Sequence, residues 1–463
     1  MSHEPKDKPP TSKIGRLARL ASLAPKTLPF ALEGARKLLG TKRTEEEEAE
    51  ARRRMGEEAK KTAEAMLKTL GEMKGLPLKL GQMASYIDGI APAGYEERFQ
   101  ATLKKLLDKA PPLSAEAAAK MVLTELGAAP EEAFASWERE PFAAASIGQV
   151  HRAVTKGGDA VAVKVQYPGI DKAIENDLKS ISLLESMMSP LTRKLNARQT
   201  LDEIRSVFMS ELDYAREAEM ADVFRHINAD DPDVFVPRVH HSLSTKRVLT
   251  TELVQGIGYS ELCETGSQEA RNRAGAAIWR FTLRSMLRYG MLYADPHPGN
   301  YRFLPDGRVA FLDFGCVKVL PADLVAGIKR YMVAAMDGNW PEFDRACVEV
   351  LGYNPKDESW DLYRSYTMEL MMPLCTDEAW QCSHERARES VAYLVRGIKS
   401  LVHKEGEGLS VHIPYVPKMP QDFTFVNRLQ WGLASVLAGL RTQARFRQMS
   451  EPWIRDGIHP IPS

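Results

Sequence analysis

The chain has 463 residues, 44% of them hydrophobic, and its 62 Lys and Arg side chains balance 62 Asp and Glu side chains. This length suffices for two or three domains, and the balanced charge gives no global indication of a nucleic-acid partner. Its 5 cysteines are scattered without paired short spacings, which favours a reducing compartment over a disulfide framework. No apolar run reaches the roughly 18 to 20 residues of a membrane span, and the N-terminus lacks the apolar core of a signal peptide. We therefore expect an intracellular, cytoplasmic protein that is soluble or peripherally attached to a membrane.

Residues 1–44 are predicted to form a basic N-terminal tail. Within 1–43, ten Lys and Arg residues outnumber three acidic residues, which gives a net charge of about +7. Ile14, Leu17 and Leu20 recur at helical spacing between the basic side chains. This pattern fits an amphipathic segment that lies on an anionic membrane surface, and it also fits a mobile basic tail.

Residues 45–135 are predicted to form a helical extension. After a charged helix up to residue 74, the stretch KGLPLKLGQMASYID breaks the pattern and restarts a helix with Lys79, Gln82 and Tyr86 on one face. Ser114 is predicted to cap the next helix, AEAAAKMVLTELG, because a serine side chain can accept a hydrogen bond from the first turn.

Residues 136–255 are predicted to form a small, strand-rich lobe. The stretches SIGQVHRAVT and AVAVKVQ alternate in polarity around the turn KGGD, which predicts a hairpin. Two helices follow, at roughly 171–190 and 199–226, and then the short strands VFVPRVHHSL and RVLTTELV. The sequence thus predicts an inserted helix within a lobe of strands.

Residues 256–445 are predicted to form a larger, helical lobe, with a C-terminal tail over 446–463. A helix near 268–289 precedes a hairpin, YRFL and RVAFLDFG, whose turn is Pro305-Asp306-Gly307. Everything after about residue 321 has the pattern of helices and loops. The fold class is therefore α+β, with a two-lobed, protein-kinase-like order of elements.

Three motifs carry the predicted chemistry. Lys164 lies on an apolar alternating strand, Asp295 and Asn300 are five apart in DPHPGN, and Asp313 ends the strand in FLDFG. Phosphoryl transfer uses these residue types in this order: a lysine on the phosphates, a carboxylate at the attacking oxygen, then an amide and a carboxylate on magnesium. A turn with Asp and Asn is common by itself, but the ordered set predicts a kinase-like site that binds ATP with Mg²⁺.

Kinases also hold the strand lysine with a glutamate from a helix. The stretch SELDYAREAE offers Glu211, Asp213 and Glu217 for this task, at a longer separation from Lys164 than in ordinary kinases. A charged face exposed to solvent is the alternative interpretation of these three acids.

The motifs KLGQ, AAASIGQVHRA, AVKVQYPGI, ELDYAREA, TTELVQG, DPHPGN and LDFG together resemble the UbiB (AarF, ADCK) family of atypical kinases. The resemblance runs from about residue 70 to 320 and is greatest to the branch that includes the mitochondrial coenzyme Q assistants. Unlike many bacterial members, this sequence does not show C-terminal transmembrane helices.

The resemblance implies roles for further residues. An alanine-rich loop in place of a glycine-rich one would cover the nucleotide, and it corresponds to Ala143, Ala144, Ala145 and Ser146. Lys79 and Gln82 would belong to a helix that occludes the place where a protein substrate would dock. Glu211 and Asp213 would face that helix, and Glu217 would be the partner of Lys164. The strand over 251–254, with Glu252 and Val254, would link the lobes and meet adenine.

The alanines and the short segment after Asp-Phe-Gly argue against ordinary peptide phosphorylation. An alanine Cβ restricts φ and stiffens the loop, so the phosphates would be held differently. Only five residues separate Gly315 from Pro321, and no Ala-Pro-Glu follows, which leaves little platform for a peptide.

We therefore expect ATP hydrolysis, or phosphotransfer to a small molecule or lipid, linked by the resemblance to isoprenoid quinone precursors. Two alternatives are a protein kinase whose occluding helix moves away and a non-catalytic, nucleotide-gated binding module. The expected partners are ATP, an isoprenoid lipid or quinone precursor, an anionic membrane surface and a second copy of the chain in a homodimer, but no nucleic acid.

Overall fold

The computed structural model describes residues 114–145, 147–179, 209–387, 404–405, 410–411, 417, 419–420 and 422–461. The chain forms two compact units, of which the first takes residues up to 187 and 240–251 and the second takes 188–239 and everything from 252 onward. The basic tail, Lys79, Gln82 and Ser146 lie outside the described residues. The contiguous domain ranges expected from the sequence remain predictions.

Helices dominate the described chain after residue 255, and the strands of five or more residues all lie before it. The helices are α1 Ala115–Leu126, α2 Pro130–Ala133, α3 170–179, α4 Tyr214–Ile227, α5 Tyr259–Thr265, α6 Gln268–Tyr289, α7 Ala322–Met336, α8 Trp340–Leu351, α9 Trp360–Met371, α10 Phe423–Gly439 and α11 Phe446–Arg455. The strands are β1 Ser136–Trp137, β2 Ala143–Ala144, β3 Gly148–Val154, β4 Ala160–Gln166, β5 Val234–Phe235, β6 Val248–Glu252, β7 Met291–Tyr293, β8 Tyr301–Phe303, β9 Val309–Phe311, β10 Val317–Val319, β11 Trp380–Gln381, β12 Lys404–Glu405, β13 Ser410–Val411 and β14 Gln443–Ala444.

The described part of the first unit contains an antiparallel sheet that packs against α1. Strands β3, β4 and β6 lie side by side, and β1 and β2 both pair with β3. Alternate residues of β4, Val161, Val163 and Val165, are buried in one apolar cluster with Met121 and Val122 of α1. The antiparallel pairing of β3 with β4 confirms the predicted hairpin. The alternation along β4 gives this strand one buried face.

Helix α1 begins where the sequence predicts. Ser114 Oγ accepts a hydrogen bond from the Ala117 N–H at 3.2 Å, and the helix ends at Gly127, whose φ of 72° suits glycine. Turn chemistry and capping therefore determine the local structure here.

The second unit is built around α6. Its Phe281 stacks on Phe311 of β9, with ring centroids 3.6 Å apart, and Phe224 of α4 lies 5.2 Å from Phe281. Arg280 of α6 also forms ion pairs with Asp231 and Asp233, at 2.8 and 2.7 Å, in the segment that follows α4. These contacts fix α4 to the core of the second unit.

The continuous helix predicted over 199–226 is wrong in its described part. Residues 209–211 are helical, but the chain leaves the helix at Leu212 and Asp213, and α4 starts at Tyr214. Asp213 Oδ1 accepts the Arg216 N–H at 3.2 Å, as an N-cap does. An aspartate that satisfies the first turn of a new helix competes with continuation of the old one, and periodicity alone does not detect this.

Among the remaining elements, the predicted strand VFVPRVHHSL is a strand only at Val234–Phe235, because Pro237 lacks the N–H that a continuing ladder needs, and two short strand pairs are added after residue 321. Strands β8 and β9 form the predicted hairpin, and Gly307 in its turn has a φ of 88°. Beyond residue 321 the chain is mostly helical, but β11 pairs with β14 and β12 pairs with β13. In the part of the chain that the structure describes, none of the helices has both the length and the apolarity needed to cross a bilayer.

Candidate functional site

Asp295 lies in a loop that is closed by its own hydrogen bonds. The loop follows β7, which pairs antiparallel with β10, and Asp295 is only 9% exposed. Its carbonyl oxygen accepts from the His297 N–H at 2.7 Å and from Asn300 Nδ2 at 3.0 Å. We call residues 294–300 the catalytic loop. The five-residue spacing of Asp295 and Asn300 thus corresponds to one compact turn.

His297 caps this turn and was not predicted from the sequence as a functional residue. Its Nδ1 accepts the Gly299 N–H at 3.0 Å, and its carbonyl oxygen accepts the Asn300 N–H at 2.9 Å. Because Nδ1 accepts a hydrogen bond, the neutral ring carries its hydrogen on Nε2. A side-chain acceptor two residues before a glycine is the sequence signal that would have found it.

Asp313 lies next to the catalytic loop. The Leu312 N–H donates to the Asn300 carbonyl oxygen at 3.0 Å, so the segment between β9 and Asp313 is bonded to the catalytic loop. Asp313 Oδ1 accepts the Gly315 N–H at 3.0 Å, which orients the carboxylate. Because Asn300 Nδ2 points to the Asp295 carbonyl, the amide oxygen is the atom available to a cation.

The residues present fit Mg²⁺. An amide oxygen and a carboxylate are hard ligands, and Mg²⁺ usually takes one or two protein carboxylates and completes its shell with water and phosphate oxygens. The predicted pair, Asn300 and Asp313, is brought together on adjoining loops of the second unit.

Arg428 of α10 forms a buried ion pair with Asp295. Its Nη2 lies 2.7 Å from Asp295 Oδ1, and the two side chains are 14% and 12% exposed. Burial opposes the charge of the guanidinium, but the carboxylates of Asp295 and Glu211 outweigh it, and the pKa of Arg428 is raised above its ordinary value. The sequence analysis missed this residue; an arginine beside an otherwise apolar helix was the available signal.

Helix α10 also touches the catalytic loop at a glycine. A Cβ built on Gly432 would lie 2.6 Å from Cγ of Pro296, closer than any real contact allows. Gly432 is one turn after Arg428, so both residues belong to the same face of α10. This face supports the catalytic loop from a segment that is distant in sequence.

Glu211 and Glu217 lie beside Gly315, two residues after Asp313. A Cβ on Gly315 would be 3.4 Å from Glu217 Oε2 and 3.6 Å from Glu211 Cγ. Glu217 is 2% exposed, and Glu211 is 6% exposed. The alternative of a solvent-exposed charged face is therefore wrong for both. Asp213 is half-buried and caps α4. That Glu217 pairs with Lys164 remains a prediction.

Burial and charge also affect two tyrosines that flank the catalytic loop. Burial, together with the charges of Asp313 and Asp295, raises the pKa of Tyr293 well above its ordinary value. Burial and Asp295 raise the pKa of Tyr301 as well. Both phenols therefore stay neutral beside the predicted site.

The predicted nucleotide hairpin in the first unit is held by strand register. Ala143 lies opposite Val150, and Val150 lies opposite Lys164, so these three residues form one row across the sheet. Ala143 and Ala144 belong to strand β2, and the Ala145 N–H donates to the Gly148 carbonyl oxygen at 2.7 Å. Lys164 is half-buried on the face opposite the apolar cluster. The nucleotide contacts of the alanines and Lys164 remain predictions.

The predicted linking strand corresponds to the end of β6. The chain passes from the first unit to the second after Thr251, and β6 ends at Glu252. The Glu252 N–H donates to the Arg238 carbonyl oxygen at 2.9 Å, while Val254 is half-buried and follows the strand. Contact of Glu252 and Val254 with adenine remains a prediction.

A family model described as the ABC1 atypical kinase-like domain matches residues 105–346, which is more than half of this chain. The chain is also 35% identical over 278 residues to the mitochondrial atypical kinase COQ8B of Rattus norvegicus, covering 60% of this chain and 52% of that protein. It is 34% identical over 275 residues to the chloroplastic protein ACTIVITY OF BC1 COMPLEX KINASE 3 of Arabidopsis thaliana, covering 58% of this chain and 38% of the relative.

One solved structure is similar over most of the chain. It is Rv3197 of Mycobacterium tuberculosis in complex with erythromycin, with a TM-score of 0.61 and 26% identity, covering 88% of this chain and 99% of that one. The chain therefore spans the solved neighbour fully but about half the length of the mammalian relative that it matches.

Proposed function

We propose that this chain, which belongs to the ABC1 atypical kinase-like family, binds ATP with Mg²⁺ and either hydrolyses it or transfers its phosphoryl group to a small molecule or lipid. The UbiB family and the kinase-like α+β fold that the motifs predicted are confirmed. The observation that carries the proposal is the bonded pair of loops that presents Asp295, Asn300 and Asp313 together.

In the proposed reaction each residue has one task. Asp313 and the amide oxygen of Asn300 hold the metal, which when bound neutralises the charge of the nucleotide phosphates. Asp295 accepts a hydrogen bond from the attacking hydroxyl or water and orients it. Arg428 supports this task because a neighbouring cation keeps the carboxylate ionised. Lys164 binds the α- and β-phosphates, and Glu217 holds Lys164.

The proposed substrate class is an isoprenoid lipid or quinone precursor. Its support is the family itself, together with the name of the COQ8B relative and the short segment between Gly315 and Pro321. Copurified lipids identified by mass spectrometry test the class, and a lipid fraction without isoprenoids argues against it.

The deciding experiment is Asp313→Asn in the full chain. We expect the variant to lose the thermal stabilisation by Mg·ATP, which amounts to about 2.7 kcal/mol when the nucleotide is at 100 times its Kd. The control is Asp323→Asn, an exposed aspartate in the first turn of α7, which should keep the whole shift. An equal shift in Asp313→Asn and the control would contradict the metal assignment.

Two other activities are distinguished by their products. Phosphate release without added protein supports the proposed ATPase or small-molecule transferase. Radiolabel on a protein substrate instead identifies a protein kinase, and nucleotide binding without either product identifies a nucleotide-gated module.

Membrane contact is a separate part of the proposal. Its support is the charge of about +7 over residues 1–43, since each basic residue near an anionic surface contributes on the order of 1 kcal/mol. Flotation with anionic liposomes should fall when residues 1–43 are removed and when salt is raised. Equal flotation with and without the segment contradicts it.

A further inference from the structure

Helix α10 has two functional faces. Arg428 and Gly432 contact the catalytic loop from one face. At 100° per residue, Val426, Leu433 and Leu437 lie on the opposite face. This opposite face lines a cavity in the second unit.

The cavity has a volume of about 130 Å³ and an apolar wall. Helix α6 contributes Trp279, Leu283 and Met286 to it, and further lining comes from α9 and from Trp380 of β11. Glu369 and Arg386, both exposed, stand at its rim, and the Arg386 guanidinium lies 4.3 Å above the ring of Trp380. A wall of this kind suits a hydrocarbon, with polar groups admitted only at particular points.

One such point is Gln430. It lines the cavity, and its Oε1 is buried and accepts no hydrogen bond from any residue that the structure describes. A buried acceptor without a donor is costly, and buried side-chain oxygens nearly always find a partner. A ligand that offers one donor to this cavity would supply it.

We propose that the cavity binds a compact apolar molecule with a single hydrogen-bond donor, of the class of cyclic or branched aliphatic alcohols. The size follows from the volume, because a cavity of about 150 Å³ accommodates one benzene ring. The donor follows from Gln430 Oε1, and the apolar body follows from the tryptophan, leucine and methionine wall.

We further assign to this ligand an effect on the catalytic loop, which rests on the proposed function. A ligand that pushes on Leu433 or Val426 displaces α10 as a body, because the helix is a rigid element. The same displacement moves Arg428 against Asp295 and Gly432 against Pro296. Ligand and Mg·ATP should therefore change one another's affinity by the same factor.

Binding is tested by methyl NMR of the full chain labelled at methionine methyl groups, with cyclohexanol as the probe. Met286, Met332 and Met371 line the cavity, and Met121 in the first unit is the internal reference. We expect saturable shifts of the three lining methyl groups and none at Met121. Methylcyclohexane, which matches the shape but lacks the donor, is the reference ligand, because comparing the ratio of the two dissociation constants between two proteins cancels the transfer of each ligand from water.

Two variants identify the site. Gln430→Leu should lower the affinity for cyclohexanol relative to methylcyclohexane about 2- to 12-fold, as the loss of one hydrogen bond predicts, and Ala434→Phe should fill the cavity and abolish the shifts. Ala434→Leu replaces Ala434→Phe if the larger side chain prevents folding, which is reported by the signal of Met336, a buried methionine of the second unit outside the cavity lining. The proposed site would be wrong if the lining methyl groups still shifted in Ala434→Phe. It would also be wrong if the ratio of the two ligand affinities were unchanged in Gln430→Leu.

Coupling is tested by titrating Mg·ATP with and without cyclohexanol. We expect the Kd of Mg·ATP to change at least about 5-fold in the wild type and not in Ala434→Phe. Methyl shifts with an unchanged Kd overturn the coupling through α10. A wild type that binds no Mg·ATP contradicts the proposed function instead, and the methyl shifts still decide the site.

Discussion

The catalytic loop in the second unit is stabilised by contacts between residues far apart in sequence. The hairpin of β2 and β3 in the first unit, which contains Ala143 and Ala144, is stabilised by contacts between neighbouring strands. Asp295 is bound by Arg428, 133 residues later in the chain, and Pro296 packs on Gly432. The hairpin is held by register between neighbouring strands, with the Ala145 N–H bonded to Gly148. The difference shows that the two sets of predicted residues are sensitive to different kinds of substitution.

A local element depends on its own turn and strand chemistry. A loop supported by distant helices depends on whatever holds those helices. Substitutions around the catalytic loop should therefore cost more than substitutions in the hairpin, and four variants test this order.

The largest effect is expected from Arg428→Met. It leaves the buried carboxylate of Asp295 without its cation, and breaking a buried pair costs about 3–5 kcal/mol of the free energy of unfolding. Urea unfolding measures the loss. Arg330→Met, which breaks partly exposed pairs with Glu342 and Glu349, is the matched control and should cost no more than about 1 kcal/mol. Equal losses of unfolding free energy in Arg428→Met and Arg330→Met would contradict the expected order.

The next effect is expected from Gly432→Ala. The new methyl group would overlap Pro296, and overpacking of this kind costs about 1–3 kcal/mol. Stability and Mg·ATP affinity should both fall. Gly338→Ala, where an added Cβ meets nothing within 4 Å but φ is 65°, separates packing from backbone strain because it should affect stability alone.

A smaller effect is expected from His297→Leu, which leaves the Gly299 N–H without its acceptor. The cost resembles that of a lost cap, about 1 kcal/mol. His297→Leu should also weaken Mg²⁺-dependent nucleotide binding. His297→Asn should bind the nucleotide as the wild type does, because an asparagine oxygen can accept from the N–H two residues later. A similar weakening in Leu and Asn variants would show that the ring itself, and not its acceptor atom, is needed.

The smallest effect on stability is expected from Ala145→Gly, at most about 1 kcal/mol. Loss of the Cβ should bring the nucleotide closer and tighten its binding, without a new donor, since the Ala145 N–H is bonded to Gly148. Titration of nucleotide and intact-mass measurement of autophosphorylation check it. Ala135→Gly, an exposed alanine whose N–H bonds across the same sheet to Val154, is the control. An unchanged nucleotide affinity in Ala145→Gly would show that this hairpin does not contact the nucleotide.

The sequence by itself determined the elements whose causes are local. Ser114 caps α1, alternation along β4 gives it one buried face, and Gly307 makes the turn between β8 and β9. The order of Lys164, Asp295 and Asp313 also predicted a kinase-like site, and the family followed from the resemblance of seven motifs taken together. Each of these signals acts over a few residues, through turn chemistry, side-chain alternation or the spacing within a motif.

Only the tertiary structure decided which distant groups complete the catalytic loop. Arg428 was an unremarked residue beside an apolar helix until the fold placed it 2.7 Å from Asp295. Glu211 and Glu217 fitted a solvated face until they were buried beside Gly315, and the break at Asp213 divided what periodicity had joined. The physical reason is that burial and ion pairing depend on which segments meet in space, and no local pattern encodes a partner more than a hundred residues away.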